Sequence, residues 1–321
     1  MSQAAGANAR IMVDVETAFG TTPSSTNGLV LPFISEGISA KRALTRTNII
    51  RLTRDLTKPT RGSKDIGGNI NTELNPYMGT LLKHLLGACT SGAGPPYTHT
   101  IKVGALPVSL CLEKAFLDLA IPEYFLYNGV RINKGSFEIN SDGYVGFNLD
   151  FLGKKRTIGT SSFDATPTDL GHVPFESFEA SIKEGGGAIA TVTKIAFDVS
   201  NDLDGGNYVI GGLGERRAIP EGKCAVAGIL TALFEEVVLY GKAVAFTESS
   251  IEITLSRGTG AGGAGNESLV ITIPEVVYEE KDPIISGPKG IVVEMPFTAF
   301  YDNASEATSL QMVLKNTVAT L

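Results

Sequence analysis

The sequence predicts a mainly β chain made of two related halves, each carrying one short helix. Three observations predict it. The 321 residues include 37 glycines and no tryptophan, a balance that implies many tight turns. Short runs of alternating apolar and polar residues, bounded by Gly, Pro, Asn and Asp, recur along the chain. One alternating run through a central glycine, followed by a helical pattern, occurs twice, at 66–74 and at 226–234. The length is ample for a substantial core.

In the first half, residues 10–39 read as an extended arm, with a loop at 19–28 and a strand at 29–34. A basic, threonine-rich stretch follows. Between Lys41 and Lys64 stand eight basic residues, Lys41, Arg42, Arg46, Arg51, Arg54, Lys58, Arg61 and Lys64, against Asp55 alone, which reads as an exposed loop. From Asp65 the period becomes two. Ile66, Gly68, Ile70, Thr72 and Leu74 share one face, and Asp65, Gly67, Asn69, Asn71 and Glu73 the other, wet one. Asn75-Pro76 then opens a short helix, because proline suits a first helical turn, with Met78, Leu81, Leu82, Leu85 and Leu86 at helical spacing. Strands are predicted over 97–103, 108–112, 129–140 and 144–151, with Ser141-Asp142-Gly143 as a hairpin turn. The polar region 154–174 reads as a linker, dividing the chain into 1–165 and 166–321.

The second half repeats the programme. A strand at 190–199 leads through a glycine-rich loop to a second alternating strand, with Val226, Gly228, Leu230, Ala232 and Phe234 on one face. These match Ile66, Gly68, Ile70, Thr72 and Leu74 in spacing and in the glycine, and a short helix at 235–245 follows. Strands at 250–257, 268–274 and 291–301 complete the half, with 258–266 as a hairpin loop. The pattern reads as a diverged internal duplication of one domain.

Composition narrows the function. A net charge of −7 argues against a protein that grips nucleic acid by neutralising phosphates. That average hides an asymmetry: residues 1–160 hold 17 Lys and Arg against 12 Asp and Glu, and residues 161–321 hold 10 against 22. Complementary halves can attract one another in an assembly. Cys89, Cys111 and Cys224 form no CxxC pair and lie in or beside apolar runs, as buried reduced thiols do. No apolar stretch approaches a membrane span, and the start lacks a signal-peptide pattern, so the protein is expected to be made and assembled in cytoplasm.

No motif for chemistry survives its context. Gly258-x-Gly260-x-x-Gly263 follows a strand but precedes another strand, whereas a dinucleotide site needs a helix N-terminus. His84, His99 and His172 lack metal-ligand spacing, and no GxSxG elbow is present. The expectation is therefore no enzyme, no cofactor and no metal.

The ordered pattern of 201–217, Ile219-Pro220-Glu221-Gly222 and the strand 226–234 resembles the tail tube proteins of long-tailed phages. The first half looks similar at 54–62, 66–74 and 77–87. The resemblance implies two tandem tail-tube-like β-sandwich or barrel domains, each with a short flanking helix. It also implies rings stacked into a tube in the virion tail, with six domains around a lumen that DNA crosses without specific binding. Two domains per chain would make each ring a trimer. Partners would be further copies and the tail-tip, tape-measure and tail-terminator proteins. The tube of a contractile injection apparatus would share this architecture. A carbohydrate-binding β-sandwich is disfavoured by 7% aromatics and no tryptophan.

Within that frame the wet face of the repeated strand, Asp65, Asn69, Asn71 and Glu73, is the expected lumen lining, with Asn148, Asp150, Glu252 and Glu294. The loop carrying Lys41, Arg42, Arg46, Arg51, Arg54, Lys58 and Arg61 is expected to dock on the acidic half of a neighbouring copy.

Overall fold

The computed structural model describes residues 3–24, 26–285 and 287–321. The first half runs β1 (Ala9–Val15), β2 (Leu29–Leu31), β3 (Ser35–Glu36), β4 (Ser39–Thr45), β5 (Thr60–Glu73), α1 (Gly79–Leu86), β6 (Gly87–Ser91), β7 (Tyr97–Val103), β8 (Leu110–Phe116), β9 (Glu123–Asn140), β10 (Gly146–Gly153), β11 (Lys155–Gly159) and β12 (Thr168–Asp169). The second runs β13 (Ser181–Glu184), β14 (Gly187–Ala188), β15 (Val192–Ser200), β16 (Ala225–Leu233), α2 (Val238–Val244), β17 (Ser249–Ser256), β18 (Ser268–Tyr278), β19 (Val292–Ala299) and β20 (Gln311–Asn316). The chain is mainly β, as its alternation predicts.

The two halves share one pairing scheme. In the first, β2 pairs β1, β1 pairs β8, β8 pairs the front of β9, β9 pairs β11 and β10, β10 pairs β5, and β5 pairs β4. In the second, β14 pairs β13, β13 pairs β17, β17 pairs the front of β18, β18 pairs β20 and β19, β19 pairs β16, and β16 pairs β15. The schemes correspond strand for strand, with α1 after β5 and α2 after β16. Even the glycines correspond. A Cβ on Gly68, at φ +146°, would collide with the Gly37 carbonyl, and one on Gly228 would collide with the Ala196 carbonyl. Both let the preceding strand pass close over the repeated one.

The halves are joined by strand pairing. The rear of β9 pairs β15, from Lys194 opposite Asn140 to Ser200 opposite Lys134, so β5, β10, β9, β15, β16 and β19 form one continuous antiparallel run. Phe137 stacks between Phe147 and Phe197 on its buried face, with centroids 4.7 Å away in each case. A second join sets β7 against β20.

Several segments depart from the sequence expectations. Residues 10–15, expected within an extended arm, form β1 together with Ala9, and Ile11, Met12 and Val13 are fully buried. The turn after β1 is anchored by the buried Glu16 carboxylate, which accepts from the Ser109 hydroxyl, the Gly20 and Gly129 N–H groups and Asn128 Nδ2. The expected linker begins with β11, which pairs β9, and Asp164 within it accepts from the Gly28 N–H. Of the three free thiols only Cys111 is buried; Cys89 and Cys224 are half-buried, at the margins of apolar runs.

Helix α1 buries its leucine face and also His84. Burial, with Lys83 and Arg131 nearby, lowers this imidazole from its ordinary 6.5 to about 3. Between those values the unfolded chain binds a proton that the folded chain refuses, so stability falls with falling pH. The limiting slope is about 1.4 kcal/mol per pH unit. Urea midpoints at neutral and mildly acidic pH should separate less in His84→Gln than in the parent.

Candidate channel-lining face and assembly loop

Opposite the buried face, the continuous sheet presents a polar one. The register sets Asn71 beside Asn148 and Asn69 beside Asp150, and Asn69 Nδ2 donates to Asn148 Oδ1 at 3.0 Å. Ser136 and Lys134 of β9 continue these rows, followed by Asp198 of β15, Ala227 of β16 and Thr298 of β19. Glu294 lies on the same face, opposite Thr231. A groove of about 320 Å³ lies along it, lined by Asn71, Ser136, Asn148, Asp198 and Ile229 among others.

The charges on this face are mostly paired. Lys134 bridges Asp198 at 2.9 Å, Lys194 bridges Glu138, and Lys281 bridges Glu294. The Lys194 ammonium holds the Glu138 carboxyl below its usual range. Glu73 meets His172 Nε2 at 2.7 Å. No salt bridge is made by Asp150 among the described residues. The face therefore carries more acid than base.

The structure gathers Asn69, Asn71, Glu73, Asn148, Asp150 and Glu294 on this one surface. It separates the other two candidates. Asp65 lies within β5 beyond the last β10 pair, Gly153 opposite Ile66, and its carboxylate is held at 2.5 Å by Arg216. Glu252 belongs to β17, outside the continuous run, and bridges Lys183 of β13 at 2.7 Å. Its alternating strand looked equivalent because periodicity gives a face but not a neighbour. Lys134, Ser136, Glu138, Lys194 and Asp198 escaped the sequence reading, although their i, i+2 spacing on two predicted strands was a usable signal.

The basic stretch is a hairpin, with β4 and the front of β5 as its stem and 46–59 as its tip. Lys41, Arg42, Arg46, Arg51, Arg54, Lys58 and Arg61 are all exposed, and none makes a salt bridge among the described residues. Arg42 donates to the Leu213 carbonyl at 3.1 Å. The tip also exposes Ile49, Ile50, Leu52 and Leu56, with Ile50 98% accessible. Four aliphatic side chains thus stand in solvent on this basic loop.

Its counterpart in the second half is the β15–β16 connection, 201–224, which is seated on the first half. Arg216, 4% exposed, donates to the carbonyls of Gly205, Ile66 and Gly153, each at 2.7 Å. Lys64 bridges Glu215 at 2.5 Å, and the Tyr208 hydroxyl donates to the Lys64 carbonyl at 2.9 Å.

No group of His, Cys, Asp and Glu among the described residues is arranged to hold a metal ion, and no helix among them is long and apolar enough to cross a membrane. No curated protein matches the chain. The family model described as phage tail tube protein matches residues 6–299. The chain thus belongs to the phage tail tube proteins, structural components of the virion tail that self-assemble into a tube with other tail components.

Proposed function

We propose that three chains close into a ring of six equivalent β units, that rings stack into the tail tube, and that the polar sheet face lines a channel for the genome. The observation that carries this reading is the repeated pairing scheme, with two units already joined edge to edge inside one chain. Closing the ring in the same way would bury the remaining sheet edges, which otherwise invite uncontrolled pairing. Units divided near residue 165 would then alternate around the ring.

An acid-rich lining suits passage rather than capture, because phosphates meet few unpaired cations. Asn69, Asn71, Glu73, Asn148, Asp150 and Glu294 are the proposed lining. The basic hairpin would dock on the acidic half of a copy in the adjacent ring. Assembly would take place in the host cytoplasm, with tail-tip, tape-measure and tail-terminator proteins completing the tail.

Negative-stain microscopy of the purified protein, with mass per unit length, tests the reading. Hollow rods with three chains per ring are expected; six chains per ring, or monomers that never form rods, would refute the trimer or the tube respectively.

A further inference from the structure

We infer that the seam between chains copies the seam within the chain, with residues 279–285 of one copy adding as a strand to β3 and β4 of the next. This rests on the ring reading above and specifies its register. Inside the chain, β15 is paired on both sides, by β16 and by the rear of β9. Its equivalents β3 and β4 pair, among the described residues, with β5 alone. The equivalent of the rear of β9 is the segment after β18, which leaves regular strand at Tyr278.

That segment already lies beside β19. The Glu279 N–H donates to the Pro296 carbonyl at 2.8 Å, and Lys281 bridges Glu294, which continues the β18–β19 register past the last assigned strand residue. Backbone groups alternate in direction along a strand, so those of Glu280, Asp282 and Ile284 point to the open side. Pro283 faces β19, where its missing N–H leaves the new seam intact. Just before β4 the Gly37 N–H donates to the Asn69 carbonyl, and by alternation along the strand the backbone of Ala40 points outward.

Carrying the β9–β15 register across the repeat sets Lys41 opposite Glu279, Ala40 opposite Glu280, Ser39 opposite Lys281 and Glu36 opposite Ile284. The charges agree. A basic β4 meets an acidic strand, with Lys41 facing Glu279 directly. Ile284 is 71% exposed here, whereas its counterpart Ile139 in the internal seam is 3% exposed. Near Ile38 the edge is guarded in the free chain. Glu36 accepts from the Ile38 N–H at 3.0 Å, and Lys114 donates to its carbonyl at 3.0 Å. The first rungs therefore form at Ala40, and those at Ile38 follow only when this guard gives way.

Paired cysteines test the register. In assembled rods, Ser39→Cys with Lys281→Cys should crosslink into covalent trimers without reductant, above the background that each single variant sets with the native thiols. Ser39→Cys with Asp282→Cys should not, since one residue turns the side chain to the other face. Charge exchange gives a second reading: Lys41→Glu should lose rods, and adding Glu279→Lys should restore them. Rods in which positions 39 and 281 fail to crosslink, equal crosslinking from position 282, or no rescue would overturn the seam while leaving the tube reading standing. Absence of rods from the parent chain would overturn both.

Discussion

Reversing Arg46, Arg51 and Arg54 to glutamate should stop tube growth while leaving the single chain folded. All three side chains are exposed on the β4–β5 hairpin and bridge no carboxylate among the described residues, so their replacement removes no internal ion pair. Surface substitutions of this kind usually shift stability by no more than about 0.5 kcal/mol. Assembly is a different matter. Each chain exchanges three positive charges for three negative ones at a site proposed to meet a half with 22 acidic residues against 10 basic ones. Like charges brought together at an interface cost several kcal/mol, and every chain in a ring repeats the contact. Growth of the parent should also slow as salt rises, because exposed charges are screened within about 8 Å at physiological ionic strength. Tube length in negative stain and thermal melting by circular dichroism read the two effects separately. Tubes of normal length from the triple variant would exclude an electrostatic role for the hairpin. Ile50→Asp at the same tip tests the apolar contribution independently of charge reversal.

Local pattern was legible in the sequence to the extent that one strand decides its own face. Tyr97–Val103 and the alternation of 66–74 and 226–234 match the structure because a half-buried strand needs only its own period. Strand β20 was missed. Met312 and Leu314 are buried, but so is Asn316, whose Nδ2 donates to the Pro76 carbonyl, so a polar residue occupies an inward position. The front of β9 was lost in the continuous run Tyr124-Phe125-Leu126-Tyr127, where alternation vanishes because neither face is exposed: 123–126 are half-buried and 127–130 buried. The repeat of the pairing scheme had its trace in the two glycine-centred strands. Pairing itself had none: nothing local in Lys194 or Asp198 states that β9 lies beside β15. Of the expected lining, Asn69, Asn71, Glu73, Asn148 and Asp150 therefore share a face with Glu294, whereas Glu252 lies on β17, outside that run.

Arg216→Ala should be the most destabilising single substitution on the 201–224 connection. The guanidinium is almost wholly buried and donates to three backbone carbonyls besides the Asp65 carboxylate. Its removal would take this buried donor from the Ile66 and Gly153 carbonyls, at the last pair of the β5–β10 ladder. An abandoned buried acceptor costs about 1–3 kcal/mol, and charged networks broken from one side about 3–5 kcal/mol, so a loss of about 3–5 kcal/mol is expected. Arg216→Lys should recover only part of it, since one ammonium cannot span carbonyls that the planar fork reaches together. Urea unfolding with a fixed m-value measures both. A loss below about 1 kcal/mol for the alanine variant would show that water replaces the fork, as at an ordinary surface arginine. The consequence reaches beyond stability. This connection is the second half's counterpart of the basic hairpin, already seated on its neighbour, and Arg216 is what fastens it there. If the hairpin uses the same kind of seat on another copy, loosening the internal one should spread the two halves of each chain and spoil ring closure even in molecules that remain folded.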